Sequence, residues 1–318
     1  MILNILLLVV GFIILIKGAD IFVDGASSIA GNFKVSKMLI GLTIVAFGTS
    51  APELAVSIKS MISYSGDIVL GNVIGSNILN ILLILGASSL VHDLNVKNNT
   101  VKKELPITLL ISTLFIVLIS DSLFDKGLTN TFTRGDGIAV LLFFTIFIYY
   151  LISMARNKID EEQDEEYMKM SKAILYTLGG LIGIVLGSNL VVNNASELAT
   201  ILGVSEKMIA LTIIALGTSL PELVTSLTAT KKGEYDIAIG NVVGSNIFNI
   251  GMVIGIPTTI FGTIPNITIN YIDLSIMLLS ALLLFLFSFN DRKITKIEGI
   301  IFLLVFVAYY SYVIYTGI

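Results

Sequence analysis

Residues 35–86 read VSKMLIGLTIVAFGTSAPELAVSIKSMISYSGDIVLGNVIGSNILNILLILG, and residues 204–255 read VSEKMIALTIIALGTSLPELVTSLTATKKGEYDIAIGNVVGSNIFNIGMVIG. The stretches align without a gap at a constant offset of 169, and 26 of the 52 positions are identical. Upstream, Gly18, Asp20, Asp24 and Ala26 echo Gly187, Asn189, Asn193 and Ala195 at the same offset. Such self-similarity predicts two copies of one structural unit. A duplicated scaffold would share small and apolar packing residues. Here much of what the copies share is polar, within apolar segments where polarity is costly.

The surroundings are apolar throughout. The 318 residues are 55% hydrophobic and 13% charged, against roughly 25% charged in soluble domains, so lipid is the main solvent. A net charge of −4 without a basic cluster argues against nucleic acid as a partner. The absence of cysteine excludes disulfides, thiolate metal sites and cysteine nucleophiles. The single histidine, His92, reads as a loop residue and argues against a His-rich metal site. The N-terminal stretch has no basic leader or small-residue cleavage site, so it is expected to be retained as a first span.

A membrane-crossing helix needs about 20 mostly apolar residues. Ten segments qualify: 2–22, 37–61, 67–91, 105–120, 137–155, 172–193, 207–229, 236–260, 272–289 and 297–316. The expected fold is an all-α polytopic membrane protein of ten transmembrane helices in two five-helix repeats, 1–155 and 172–318. Five is odd, so the second repeat enters the membrane upside down, the inverted arrangement common in transporters. The linker 156–171 holds Asp160, Glu161, Glu162, Asp164, Glu165 and Glu166 and reads as a solvated acidic connection. Of the 19 basic residues, 14 fall on one set of alternate loops, 4 on the other, and Lys17 inside the first span. The positive-inside rule then places the linker in the cytoplasm and both termini outside the cell membrane. Lys17 and Asp20 read as an interfacial pair.

Each repeat carries Gly-Thr-Ser-x-Pro-Glu within an apolar span, Gly48 to Glu53 and Gly217 to Glu222. Pro52 and Pro221 cannot donate to the carbonyls of Gly48 and Gly217, so the helix should break and leave carbonyls near 46–49 and 215–218 short of partners. Exposed backbone at membrane depth persists only where it is buried in protein or lines a polar cavity. Ser50, Glu53 and Ser57 share one helix face, as do Ser219, Glu222 and Ser226. Ser57 and Ser226 alone read as hydroxyls satisfied by their own helix. The next span supplies a stripe of Asn72, Ser76 and Asn80, with Asn241, Ser245 and Asn249 as its mate. Gly71 with Gly75, and Gly240 with Gly244, allow close helix packing. Calcium takes about 6–8 oxygen ligands. Two glutamates can offer four and neutralise the ion, and two freed carbonyls make six. Hydroxyls, amides and carbonyls also suit sodium, and no nitrogen or sulfur ligand favours zinc or copper.

These paired motifs resemble the α-repeats of the Ca²⁺/cation antiporter superfamily, in particular its Na⁺/Ca²⁺ exchanger branch of prokaryotic type. The resemblance covers nearly the whole chain and implies a transporter that exchanges Ca²⁺ for Na⁺ by alternating access. It implies a Ca²⁺ site of the Glu53 and Glu222 side chains with the Thr49 and Thr218 backbones. For Na⁺ it implies the Ala46 backbone with Ser50 and Ser76 on one side, the Ala215 backbone with Ser219 and Ser245 on the other, and Asn80 and Asn249 centrally. Many relatives carry aspartate at one or both central positions; this chain has asparagine at both, which argues against K⁺ co-transport. Proton-coupled relatives typically place an acid where Ser76 and Ser245 stand, so the serines favour sodium. The expected partners are lipid and the two transported ions, with no cofactor, no obligatory protein partner and no enzymatic activity. The alternative is an antiporter moving Ca²⁺ or another divalent cation against H⁺, with both glutamates alternating between proton and metal. An intramembrane acid/base enzyme lacks an accompanying nucleophile or metal motif, and a channel does not account for an inverted repeat.

Overall fold

The computed structural model describes residues 1–125, 128–156, 167–204, 213, 215–268 and 270–316. Eleven long helices dominate the described chain. In the first half they are α1 (Ile2–Phe33), α2 (Lys37–Thr49), α3 (Ala51–Ile62), α4 (Gly66–Val91), α5 (Leu105–Ile119) and α6 (Arg134–Arg156). In the second half they are α7 (Met170–Ile201), α8 (Leu220–Lys231), α9 (Tyr235–Phe261), α10 (Tyr271–Asp291) and α11 (Lys296–Thr316). Two short strands, β1 (Leu94–Asn95) and β2 (Lys293–Ile294), pair antiparallel.

Among the described residues seven helices are long and apolar enough to cross a membrane, or eight if α2 and α3, bent by 43°, form one broken span. Ten were expected. Segment 105–120 forms the 15-residue α5, which continues directly from a π-helical turn, Thr100–Glu104, that carries Lys102, Lys103 and Glu104; the apolar part alone is shorter than a span needs. The first part of segment 207–229 lies outside the described residues, as do residues 157–166 of the acidic linker. The first and sixth segments are longer than expected, each forming a helix of 32 residues. Beyond its apolar part α1 continues past Ser27, which donates to Glu234 at 2.8 Å. It stops where Lys34 turns left-handed (φ 54°) and its N–H caps the Ala30 and Gly31 carbonyls.

Helices α1 and α7 pack along a glycine seam. A Cβ at Gly18 would lie 2.7 Å from the Ile184 nitrogen, one at Gly25 2.6 Å from that of Thr177, and one at Gly187 2.5 Å from that of Leu15. Contact numbers rise on one helix as they fall on the other, so these repeat-related helices run antiparallel. Helices α4 and α9 form the centre, and residues 237–255 of α9 are buried without interruption, its polar Asn241, Ser245, Asn246 and Asn249 included. α9 lies against α2 through Gly240 and Gly41: a Cβ on Gly240 would sit 2.9 Å from Gly41 Cα. Large apolar side chains such as Leu3, Leu6, Leu142, Ile146, Leu304 and Val307 point outward from α1, α6 and α11, a periphery suited to lipid.

The connections gather at two ends. At one, Lys37 pairs with Glu234 (2.9 Å), Lys97 with Asp236 (2.6 Å) and Lys232 with Asp24 (2.6 Å), while β1 joins β2. These are the lysine-rich loops. At the other, Phe132 and Ile264 bond reciprocally at 2.9 Å, and the Ser122 and Tyr271 hydroxyls lie 3.2 Å apart. Each half also ties its last two helices with an acid and a tyrosine. Tyr150 of α6 donates to buried Glu104, which precedes α5, and Tyr309 of α11 donates to Asp273 of α10 at 3.0 Å. Glu104 and Asp273 differ by the repeat offset of 169. His92 lies in an exposed loop with its ring stacked on Tyr235, centroids 5.0 Å apart. Lys17 and Asp20 approach to 3.8 Å on the exposed face of α1.

Candidate cation site

Helix α2 ends where proline forbids its ladder to continue. Ser50 N bonds the Ala46 carbonyl at 3.0 Å, and the ladder resumes from Leu54 N to Ser50 O at 3.2 Å. Between them Ser50 adopts φ −84°, ψ 3°, and Pro52 has no N–H for Gly48 O. In the second half Ser219 adopts φ −89°, ψ 3°, and Leu223 N bonds Ser219 O at 3.0 Å. The copies differ at one carbonyl. Gly217 O accepts from the Ser188 hydroxyl of α7 at 3.1 Å, which corrects the expectation that it lacks a partner. At the matching position of α1 stands Ala19, which has no hydroxyl to offer Gly48.

The break puts Glu53 and Glu222 in the first turns of α3 and α8, where the free N–H groups and helix dipole favour a carboxylate. Each glutamate is 1% exposed. Ser50 donates to Glu222 Oε1 at 3.1 Å, and Thr49 to Asn241 Oδ1 at 2.9 Å. Both bonds join one repeat to the other. Glu53 Oε2, Glu222 Oε2, Asn80 Oδ1, Asn249 Oδ1 and Ser245 Oγ are buried without a protein hydrogen-bond partner. Buried oxygens are normally paired, so five such atoms on adjoining elements form an acceptor set for a cation.

The remaining expected ligands fall on the same elements. Thr49, Ala46 and Ser50 are fully buried, Ser76 and Ser219 nearly so. Thr218 is half-buried at the second break, and Ala215 opens the short helix Ala215–Gly217. The serine contact also crosses between repeats: Ser219 Oγ lies 3.4 Å from Ser76 Oγ. Asn72 and Asn241 act as clamps. Asn72 donates to Glu53 O (3.1 Å) and Ser57 Oγ (3.2 Å), and Asn241 to Glu222 O (3.3 Å) and Ser226 Oγ (2.9 Å). Ser57 and Ser226 thus receive a bond from the following helix, contrary to a purely local role.

The two halves are not equally closed. Gly240, Asn241 and Gly244 are buried, whereas Gly71 is exposed and Asn72 and Gly75 half-buried. A Cβ at Gly244 would lie 2.6 Å from Ala46 Cβ, while one at Gly71 or Gly75 would meet nothing within 4 Å among the described residues. Among the described residues, the close packing expected of both glycine pairs is met by the second. Two further features were not read from the sequence. Helices α4 and α9 each contain a π-helical turn, Asn80–Leu85 and Asn249–Ile254, at the repeat offset; such turns shift side-chain register and are frequent at functional sites. Asn77 and Asn246 are buried against the partner helix. Their signal was available, since Ser-Asn-Ile is identical in both copies.

No group of three or more His, Cys, Asp or Glu side chains converges among the described residues. The site is therefore two carboxyls among neutral oxygens, a donor set that suits hard cations such as calcium and sodium. Residues 3–153 and 172–315 match the sodium/calcium exchanger protein family. The chain is 32% identical to the sodium/calcium exchanger MaX1 of Methanosarcina acetivorans, covering 96% of this chain and 97% of that one. It is 37% identical to the inner membrane protein YrbG of Escherichia coli, covering 87% and 86%. A solved structure of the sodium-calcium exchanger NCX_Mj superposes with a TM-score of 0.84 at 33% identity, covering 98% of each chain.

Proposed function

The chain belongs to the sodium/calcium exchanger protein family, and on that premise we propose that it is a secondary transporter exchanging Ca²⁺ for Na⁺ by alternating access. The observation that carries this reading is the pair of buried glutamates, each with one unpartnered oxygen beside a helix break, in two copies joined by Ser50 and Thr49. Ca²⁺ is held by Glu53 and Glu222 with the Thr49 and Thr218 carbonyls. Na⁺ is held by Ser50, Ser76, Ser219 and Ser245 with the Ala46 and Ala215 carbonyls, and Asn80 and Asn249 face the centre. The sodium/calcium exchanger name of the relative from Methanosarcina acetivorans favours sodium as the counter-ion.

The architecture we infer is ten crossings in two inverted units, 1–155 and 172–318, with the linker 156–171 in the cytoplasm and both termini outside the cell membrane. The antiparallel course of α1 and α7 and the gathering of lysine-rich loops at one end support it.

The test is ⁴⁵Ca²⁺ uptake into proteoliposomes loaded with Na⁺ and diluted into Na⁺-free buffer. Uptake should collapse when K⁺ replaces internal Na⁺. Uptake driven equally well by a proton gradient without sodium would overturn sodium coupling in favour of H⁺ exchange.

A further inference from the structure

Four asparagines cross between α4 and α9 at the centre of the protein. Asn80 Nδ2 donates to Asn246 Oδ1 at 2.9 Å, and Asn249 Nδ2 donates to Asn77 Oδ1 at 3.1 Å. All four are at most 2% exposed. Asn77 and Asn246 are related by the repeat offset of 169, as are Asn80 and Asn249, so each amide pair joins the two repeats.

A primary amide presents a donor end and an acceptor end, and the cross-pairs decide which end is left free. Asn246 Nδ2 also faces the Asn77 backbone carbonyl at 3.4 Å. A carbonyl can only accept, so Asn246 must turn its nitrogen there and its oxygen to Asn80. Asn80 must then offer its nitrogen to Asn246, which leaves Asn80 Oδ1 as its free atom. That oxygen is buried and unpartnered, and so is Asn249 Oδ1. Rotating the Asn80 amide would set two acceptors against each other beside Asn246 and turn N–H groups toward the cation.

We propose that Asn246 and Asn77 are positioning residues that hold the amide oxygens of Asn80 and Asn249 toward the transported cation. A neutral amide serves as a cation ligand only when its oxygen is presented, whereas a carboxylate offers oxygen in either orientation. A site with asparagine at both central positions therefore depends on an outer shell that sets amide polarity. The dependence is uneven: Asn246 is anchored on a backbone carbonyl, while Asn77 Nδ2 has no hydrogen-bond partner. Asn246 is the stronger orienting residue.

This inference rests on the exchanger reading, and a double-mutant cycle on the full-length protein separates the two. Half-maximal ⁴⁵Ca²⁺ and Na⁺ concentrations are measured in proteoliposomes for wild type, Asn246→Leu, Asn80→Ala and the double variant. Asn246→Leu should raise at least one half-maximal concentration roughly tenfold while the maximal rate changes little, since outer-shell partners set ligand orientation. In the Asn80→Ala background the same substitution should add less than about twofold, because the amide it orients is gone. Should Asn246→Leu fail to fold, Asn246→Ala takes its place, with thermal unfolding in detergent as the control. Equal effects in both backgrounds would overturn the positioning role while leaving exchange intact. A wild type without Na⁺-dependent Ca²⁺ uptake would overturn the exchanger reading and the inference with it.

Discussion

Ser50, at the helix break of the first repeat, donates to Oε1 of Glu222 in the second repeat at 3.1 Å. The bond crosses 172 residues of sequence. Each glutamate opens its own helix, but the partners around it come partly from the other half. Neither repeat alone assembles the two-acid centre, and a change in one repeat should be felt at the acid of the other.

Glu53→Gln and Glu222→Gln should each reduce Ca²⁺ exchange by about 100-fold or more, because one remaining carboxylate cannot neutralise a buried divalent ion in a low-dielectric site. Both variants keep an amide oxygen and should remain folded. Size-exclusion chromatography and thermal melts check the fold, and ⁴⁵Ca²⁺ uptake checks the activity. Normal uptake by either folded variant would remove that glutamate from the site.

Ser50→Ala and Ser219→Ala should weaken the Na⁺ dependence more than the Ca²⁺ affinity, by roughly 3–10-fold, the scale of losing one ordinary hydrogen bond. If three Na⁺ replace one Ca²⁺, the two-acid site gains one positive charge, since Asn80 and Asn249 carry none. Exchange should then respond to membrane potential in voltage-clamped proteoliposomes. A voltage-independent rate with a sodium Hill coefficient at or below about two would point to electroneutral exchange.

Topology is open to labelling because the chain has no cysteine. A cysteine placed in residues 160–166 should react with an impermeant thiol reagent only from the cytoplasmic side. One replacing Tyr64, which is 98% exposed between α3 and α4, should react only from outside. Labelling from the opposite sides would reverse the orientation, and labelling of both positions from one side would break the alternation of crossings.

Gly71 and Gly240 occupy equivalent places in the repeats and should respond oppositely to alanine. A Cβ at Gly240 would press within 2.9 Å of the Gly41 backbone, so Gly240→Ala should cost about 1–3 kcal/mol through overpacking. At Gly71 none of the described residues lies within 4 Å, so Gly71→Ala should be neutral or stabilise by up to about 1 kcal/mol through helix propensity. Thermal unfolding in one detergent compares them, and equal destabilisation would mean that Gly71 also packs closely.

Several features were legible because their physics is local. A proline inside an apolar helix must break the ladder wherever the helix goes, so Pro52 and Pro221 announced the breaks, with Glu53 and Glu222 following in the next turn. The constant offset of 169 announced two copies before any contact was known. The lysine-rich loops, which their spacing put on one side, do meet at one end. Which side chain meets which was decided only when helices far apart in the chain came together through glycine contacts such as Gly18 with Ile184 and Gly41 with Gly240. The crossing of Ser50 to Glu222, Thr49 to Asn241 and the asparagines between α4 and α9 depends on that docking. So does the capture of Gly217 O by Ser188. The π turns that start at Asn80 and Asn249 were likewise not read from the sequence. They shift side-chain register where the two central helices meet, and the amide pairs Asn80–Asn246 and Asn249–Asn77 exist only once those helices from different repeats have docked.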